Sequence, residues 1–141
     1  MLRNFMIIRF GVYHWNDYIF DNGTSKDKYW IALNCQIEQE NYYAVLPTSQ
    51  IDKYQFSTIN IDTVKIEKDE SKYFAKTTIL DFKNIQLNTK DEIDFILNNN
   101  KLDYKGLLES EIQEKIILCI KNSETLSELF IDELLCEGDN K

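Results

Sequence analysis

The chain has 141 residues, of which 43% are hydrophobic and 13% aromatic, and its formal net charge is −8. This length fits a single domain, and the aromatic content excludes a disordered chain. No apolar run approaches the roughly 18 residues that span a bilayer, and no cleavage site follows the short apolar run at residues 5–8, so the sequence predicts a cytoplasmic protein without a membrane segment.

The acidity is unevenly distributed along the chain. Residues 1–88 carry 10 basic and 11 acidic residues, whereas residues 89–141 carry 6 and 13. Neutralising many phosphates requires many cations on one face, so the charge distribution disfavours a protein that coats nucleic acid. A local basic patch in the nearly neutral first part remains compatible with this distribution.

The first 88 residues have the patterns of short strands. Apolar and aromatic runs alternate with turn residues such as Gly11, the pair Asn22-Gly23, and Pro47. The predicted strands cover residues 5–8, 12–20, 29–33, 42–46, 77–82 and 85–87, with a further strand indicated by Ile59, Ile61 and Val64. Short strands at this spacing are typical of a small barrel or sandwich, and a barrel would remove exposed strand edges.

The hydrophobic period changes to that of helices after residue 88. Thr89 and Glu92 have the capping-box spacing, as do Ser110 and Gln113, and Ser123 can cap a third helix. The apolar residues of the three predicted helices are Ile93, Ile96 and Leu97, then Ile112, Ile116, Ile117 and Ile120, then Leu126, Leu129, Phe130 and Leu134. We therefore expect one α+β domain over residues 1–141, with residues 1–88 mainly β-barrel and residues 89–141 mainly helical.

Three cysteines, Cys35, Cys119 and Cys136, are far apart in sequence, and His14 is the only histidine. Zinc sites are usually built from several closely spaced Cys and His ligands. The spacing therefore predicts no structural zinc and no disulfide framework, and it favours buried free thiols in a reducing cytoplasm. We also expect no cofactor.

The order of these features resembles the PemK/MazF-like toxin family. The matching stretches, within residues 9–121, are RFGVYHWNDYIF, DNGTSKDKYWIAL, YYAVLPTS, YFAKTTILDFKNIQL and KGLLESEIQEKIILCI. The resemblance implies an SH3-like barrel with C-terminal helices. It also implies a metal-independent endoribonuclease that cleaves single-stranded RNA, assembles as a homodimer and is neutralised by an antitoxin protein.

The resemblance also assigns roles to individual residues. The family's catalytic arginine falls on Lys28, its threonine on Thr48 with Ser49 beside it, and its later hydroxyl residue on Thr77 or Thr78. Residues assigned to substrate binding are Gly23, Lys26, Trp30 and Lys76. A fixed cation with hydroxyl donors can stabilise the charge that gathers on the phosphorus-bound oxygens during cleavage.

Other interpretations of the same residues stay open. Lysine at position 28 lacks the planar fork of arginine, so a catalytically inactive barrel that serves as a protein-interaction or defence-system module is the alternative. A third interpretation is an unrelated acidic α+β protein. In that case Lys28 is a surface lysine, the hydroxyl residues are ordinary strand residues, and Trp30 and His14 are packing residues.

Overall fold

The computed structural model describes residues 7–35, 40–50 and 62–136, which form an α+β fold. The strands are β1 Gly11–Ile19, β2 Ser25–Ala32, β3 Asn41–Val45, β4 Thr63–Ile66, β5 Thr78–Asp81, β6 Gln86–Thr89 and β7 Leu102–Leu107. The helices are α1 Lys90–Asn98, α2 Ser110–Lys121 and α3 Glu128–Leu135. The predicted α+β class is confirmed.

The described strands form two antiparallel sheets. Five strands make one sheet in the order β6-β3-β2-β1-β7, and β4 pairs with β5 in a separate two-stranded sheet. A single bridge between Thr48 and Ile79 joins them. The expected closed barrel is therefore not formed by the described strands, because β6 and β7 are left as edges of the larger sheet.

The larger sheet is covered on both faces. Side chains alternate along β2, so that Trp30 and Ala32 pack in one hydrophobic cluster with α1 while Ile31 and Leu33 pack in the other. The second cluster includes residues of α2, α3 and the two-stranded sheet. This double burial explains why residues 29–33 are continuously apolar instead of alternating with polar residues.

The helix starts agree with the sequence in one case and differ by a few residues in two. Thr89 caps α1, its hydroxyl accepting a hydrogen bond from the Glu92 amide at 3.2 Å, as predicted. Ser110 is inside α2, whose cap residue is Glu109, and the cap of α3 is Ser127. Ser123 instead lies in the turn before α3, where its hydroxyl accepts hydrogen bonds from the amides of Thr125 and Leu126.

One strand interrupts the segment expected to be helical. β7 pairs with β1, with Leu102 opposite Trp15 and Leu107 opposite Gly11. It is an edge strand in which only Leu102 is buried, so it lacks the apolar alternation that identifies a strand in sequence. Of the other predicted strands, residues 7 and 8 precede β1 outside any strand, and positions 59 and 61 lie outside the described residues.

Two of the three cysteines are bonded, which corrects the expectation of free thiols. Cys35 and Cys136 form a disulfide across a sequence separation of 101 residues, with their Cα atoms 6.1 Å apart. The bond joins the segment after β2 to the end of α3. Cys119 is free and half-buried, and burial raises the pKa of its thiol to about 11. Among the described helices, none is long and apolar enough to cross a membrane.

Candidate functional site

A groove opens where β3 leaves the larger sheet. Within the described residues, β2 pairs with β3 only through Ile31 with Val45 and Ala32 with Ala44. Pro47 has no amide hydrogen to continue the ladder, and the next residue, Thr48, bridges to β5 instead. The first half of β2 therefore faces the departing chain across a cavity of about 430 Å³, which we call the β2 groove.

Lys28 crosses the β2 groove. Its Nζ atom donates a hydrogen bond of 3.2 Å to the carbonyl oxygen of Pro47, and its side chain is half-buried. Its cross-strand partner on β1 is the buried Trp15. A cation fixed by its own strand and by the opposite wall is ordered before any ligand arrives.

Hydroxyl groups lie on the opposite wall of the same groove. Thr48 and Ser49 both line it, immediately after the carbonyl that Lys28 contacts. The Thr48 hydroxyl accepts a hydrogen bond of 3.1 Å from the amide of Gln50. A hydroxyl that accepts one bond can still donate its own proton, so Thr48 is suited to hydrogen-bond an anionic oxygen.

A second cavity of about 360 Å³ adjoins the β2 groove, because Tyr29, Pro47 and Ser49 line both. Lys76 and Thr78 line this second cavity. Thr78 is only 3% exposed, and its hydroxyl donates to the Lys76 carbonyl at 2.9 Å. Lys76 is exposed and can reach a ligand that extends out of the groove.

Three of the predicted site residues lie outside both cavities. Thr77 donates its hydroxyl proton to Glu67 at 3.2 Å. Gly23 lies in the turn between β1 and β2, where its φ of +87° suits glycine. Trp30 is completely buried and donates from its ring nitrogen to Asn88 at 3.1 Å. The structure therefore makes Trp30 a core residue, since a fully buried ring cannot stack on a base.

Two carboxylates share the β2 groove with the lysines. Asp27 and Asp81 both line it, together with Lys26 and Lys28. Asp81 is held by its own turn, accepting from the Lys83 amide at 3.0 Å. The formal charge of these four side chains is therefore balanced.

An imidazole stands next to one of these carboxylates. The Nε2 atom of His14 is 4.0 Å from Asp27, and its ring packs edge-on against Tyr29, with 5.5 Å between centroids. Asp27 also accepts a hydrogen bond of 3.0 Å from the Asp17 amide, where β1 is irregular and φ of Asp17 is +57°. Carboxylate and imidazole groups are common proton acceptors in catalysis.

The sequence reasoning missed the acidic and amide residues of the groove. Asp27 lies between the two predicted lysines, where strand alternation alone would place it on the face opposite them. In the structure it lines the same groove as the lysines, at the point where the register of β1 and β2 shifts. The remaining polar residues that line the groove and were not predicted are Gln50, Asp81, Asn84 and Gln86. Asp81 and Asn84 follow Ile79, which bridges to Thr48, and the sequence contains no signal for this bridge. Gln86 is in β6 and approaches through the pairing of β6 with β3.

In comparisons with known proteins, no family model and no curated protein matches the chain. Among the described residues, no group of three or more His, Cys, Asp or Glu side chains is placed to hold a metal ion.

Proposed function

We propose that the β2 groove binds a phosphate of single-stranded RNA and that the protein is a divergent PemK/MazF-like endoribonuclease. The observation that carries the proposal is the hydrogen bond from Lys28 to the carbonyl of Pro47. It holds an amine at the point where the hydroxyl-bearing residues Thr48 and Ser49 begin. An amine and hydroxyls converging from separate chain segments form a site for one phosphate.

The proposed reaction uses the RNA's own nucleophile. The 2′-oxygen attacks the adjacent phosphorus, the bond from phosphorus to the 5′-oxygen breaks, and the products end in a 2′,3′-cyclic phosphate and a 5′-hydroxyl. Asp27, with His14 beside it, accepts the proton of the 2′-hydroxyl, and water protonates the leaving 5′-oxygen. Lys28 and the Thr48 hydroxyl stabilise the negative charge on the oxygens that are not transferred.

The proposal extends to the architecture. A divergent SH3-like arrangement would have its strands curve from one sheet into the other, and the Thr48–Ile79 bridge is consistent with such a corner. The chain between residues 50 and 62 lies outside the described residues. An antitoxin partner, a homodimer and a cytoplasmic location stay predictions of the resemblance and of the sequence.

The test is cleavage of a single-stranded RNA of mixed sequence by the purified full chain in EDTA. We expect fragments that end in a 2′,3′-cyclic phosphate. The matched control is the same oligonucleotide with 2′-deoxy sugars throughout, which lacks the nucleophile and should stay intact. Uncut RNA at high protein concentration, or equal cutting of the deoxy control, would refute the proposed chemistry.

A non-catalytic module is the second candidate, and one observation favours it. Asp27 and Asp81 balance the charges of Lys26 and Lys28 in the groove. A balanced groove with a lysine in place of a planar guanidinium is also suited to a polar peptide segment. This candidate predicts that the protein does not cut RNA in the same assay and that a non-cleavable RNA does not bind in the groove.

A further inference from the structure

We propose that a separate cavity, between β4 and the C-terminal half of α2, binds a small organic cation, an alkylammonium or alkylguanidinium, through the carboxylate of Asp62. This cavity of about 470 Å³, the Asp62 pocket, shares no lining residue with the β2 groove or its adjoining cavity among the described residues. The inference is therefore independent of the proposed RNA cleavage.

Asp62 is the reason to expect a ligand. The residue is 4% exposed, and neither carboxylate oxygen has a hydrogen-bond partner among the described residues. Removing a carboxylate from water without a partner is strongly unfavourable, so buried carboxylates in folded proteins are nearly always paired. A cationic ligand in the pocket would supply the missing partner.

The backbone fixes Asp62 in this position. Its carbonyl accepts a hydrogen bond of 2.7 Å from the amide of Phe82, which ties it to the end of β5. Its φ of +64° is in the left-handed region, which is uncommon outside glycine. Sparsely populated backbone conformations of this kind concentrate at functional sites.

The two lysines that line the Asp62 pocket interact with other carboxylates. Lys115 places its Nζ atom 2.6 Å from Glu70, and Lys65 places its own 3.8 Å from Glu67. The structure thus gives each lysine an acidic partner, whereas the Asp62 carboxylate has no hydrogen-bond partner among the described residues. The opposite charge for Asp62 has to come from outside these pairs.

The walls of the pocket define the class of cation. Val64, Leu118 and the half-buried Cys119 supply apolar surface, and the volume is within the usual range for small-molecule sites. Divalent metal ions instead require several oxygen ligands, and the described part of the chain groups no three metal-ligating side chains. One buried carboxylate beside apolar walls fits an ammonium or guanidinium on an alkyl chain, and a guanidinium can bond both oxygens at once.

A further carboxylate, Glu124, is exposed and also lines the pocket. A ligand with a cation at each end of an alkyl chain could therefore interact with both acids. Agmatine, with a guanidinium and an ammonium, and 1,5-diaminopentane, with two ammonium groups, are suitable probes. 1,5-Pentanediol has a similar length and no charge, so it is the neutral control.

The test is a titration of the full chain with each probe, followed by amide chemical shifts and by calorimetry. We expect saturable binding of agmatine, with shifts centred on β4 and the end of α2, and no comparable binding of the diol. Asp62→Asn should weaken agmatine at least about tenfold, the factor that corresponds to about 1.4 kcal/mol. Asparagine also tolerates the left-handed backbone, so this variant keeps the local conformation.

A second variant keeps the inference falsifiable if Asp62→Asn does not fold. Leu118 is 58% exposed, so Leu118→Lys should fold normally while placing a competing cation in the pocket. It should weaken agmatine by a similar factor. Absence of saturable binding to the unaltered protein at about 10 mM probe, equal binding of the diol, or unchanged affinity in both variants would overturn the inference.

Discussion

Lys28 donates a hydrogen bond of 3.2 Å from its Nζ atom to the carbonyl of Pro47, 19 residues later in the chain. This contact crosses the opening that forms because Pro47 ends the pairing between β2 and β3 and Thr48 turns to β5. The proline therefore has two effects: it stops a ladder, and its carbonyl orients a cation. The proposed phosphate site depends on both.

The charge of the β2 groove predicts a weak salt dependence for RNA binding. Each phosphate contact on a single strand contributes a slope of about −0.7 to the logarithm of affinity against the logarithm of salt concentration. Contacts from Lys26 and Lys28 should together give about −1.4, measured by fluorescence anisotropy with a 2′-O-methyl RNA that cannot be cleaved.

The matched variants are Lys26→Met and Lys105→Met, which change the net charge equally. Lys26→Met should halve the slope. Lys105 is exposed on β7 and lines neither the groove nor the adjoining cavity, so its substitution should leave the slope unchanged. Equal effects of both variants would place the RNA elsewhere on the surface.

The buried position of Trp30 predicts a stability effect without a binding effect. Trp30→Phe removes the hydrogen bond to Asn88 and leaves space in the cluster that faces α1. We expect a loss of about 2–4 kcal/mol in the free energy of unfolding, measured by urea denaturation. RNA affinity of the folded variant should be unchanged. A drop in affinity with normal stability would restore the predicted role of Trp30 in substrate binding.

The disulfide between Cys35 and Cys136 predicts a dependence of stability on reductant. A disulfide typically stabilises a protein by about 2–4 kcal/mol, so reduction or Cys35→Ser should lower the free energy of unfolding by about that amount. Cys119→Ser should retain the sensitivity to reductant. Thiol titration of the denatured, unreduced protein should find one thiol, and finding three would contradict the bond.

The same bond bears on location. Disulfides persist in oxidising environments and are rare in a reducing cytosol. Cys35–Cys136 therefore disagrees with the expectation of free thiols in a reducing cytoplasm.

Tyr13 predicts a loss of stability at high pH. Burial raises the pKa of its hydroxyl from 10 to about 12, so the folded state binds its proton more tightly than the unfolded state. The contribution is complete below pH 10 and is lost as the pH rises through about 12, with a size of about 2–3 kcal/mol. Unfolding by urea between pH 8 and 12 should show a steeper decline for the unaltered protein than for Tyr13→Phe. Parallel declines would contradict this assignment.

The local signals in the sequence predicted local structure well. The Thr89 cap and the apolar run at residues 29–33 correspond to α1 and to a strand buried on both faces. β7 was missed because an edge strand with one buried residue has no apolar pattern, and its pairing with β1 spans about ninety residues. The strand pattern also gave no indication that the larger sheet stays open.

The sequence predicted the candidate site only at residues that were assigned by the resemblance and that also line the β2 groove. The resemblance placed the family's arginine at Lys28 and its threonine at Thr48, and both residues line the β2 groove. Asp81 and Asn84 reach the groove because Thr48 bridges to Ile79, just before them in the chain. Cys35 forms a disulfide with Cys136 across a separation of 101 residues. Neither the bridge nor the disulfide can be predicted from the local spacing of residues, because both depend on how the two sheets and the last helix pack.

The rate of RNA cleavage by three lysine variants tests the proposed phosphate site most directly. Lys28→Met should lower the rate about 10²- to 10³-fold, as the loss of one fixed donor to a developing anion does in other enzymes. Lys28→Arg keeps the cation and should retain cleavage, and Lys105→Met should match the unaltered protein. If folded Lys28→Met cuts RNA as fast as Lys105→Met, the cation that crosses the β2 groove has no part in the chemistry.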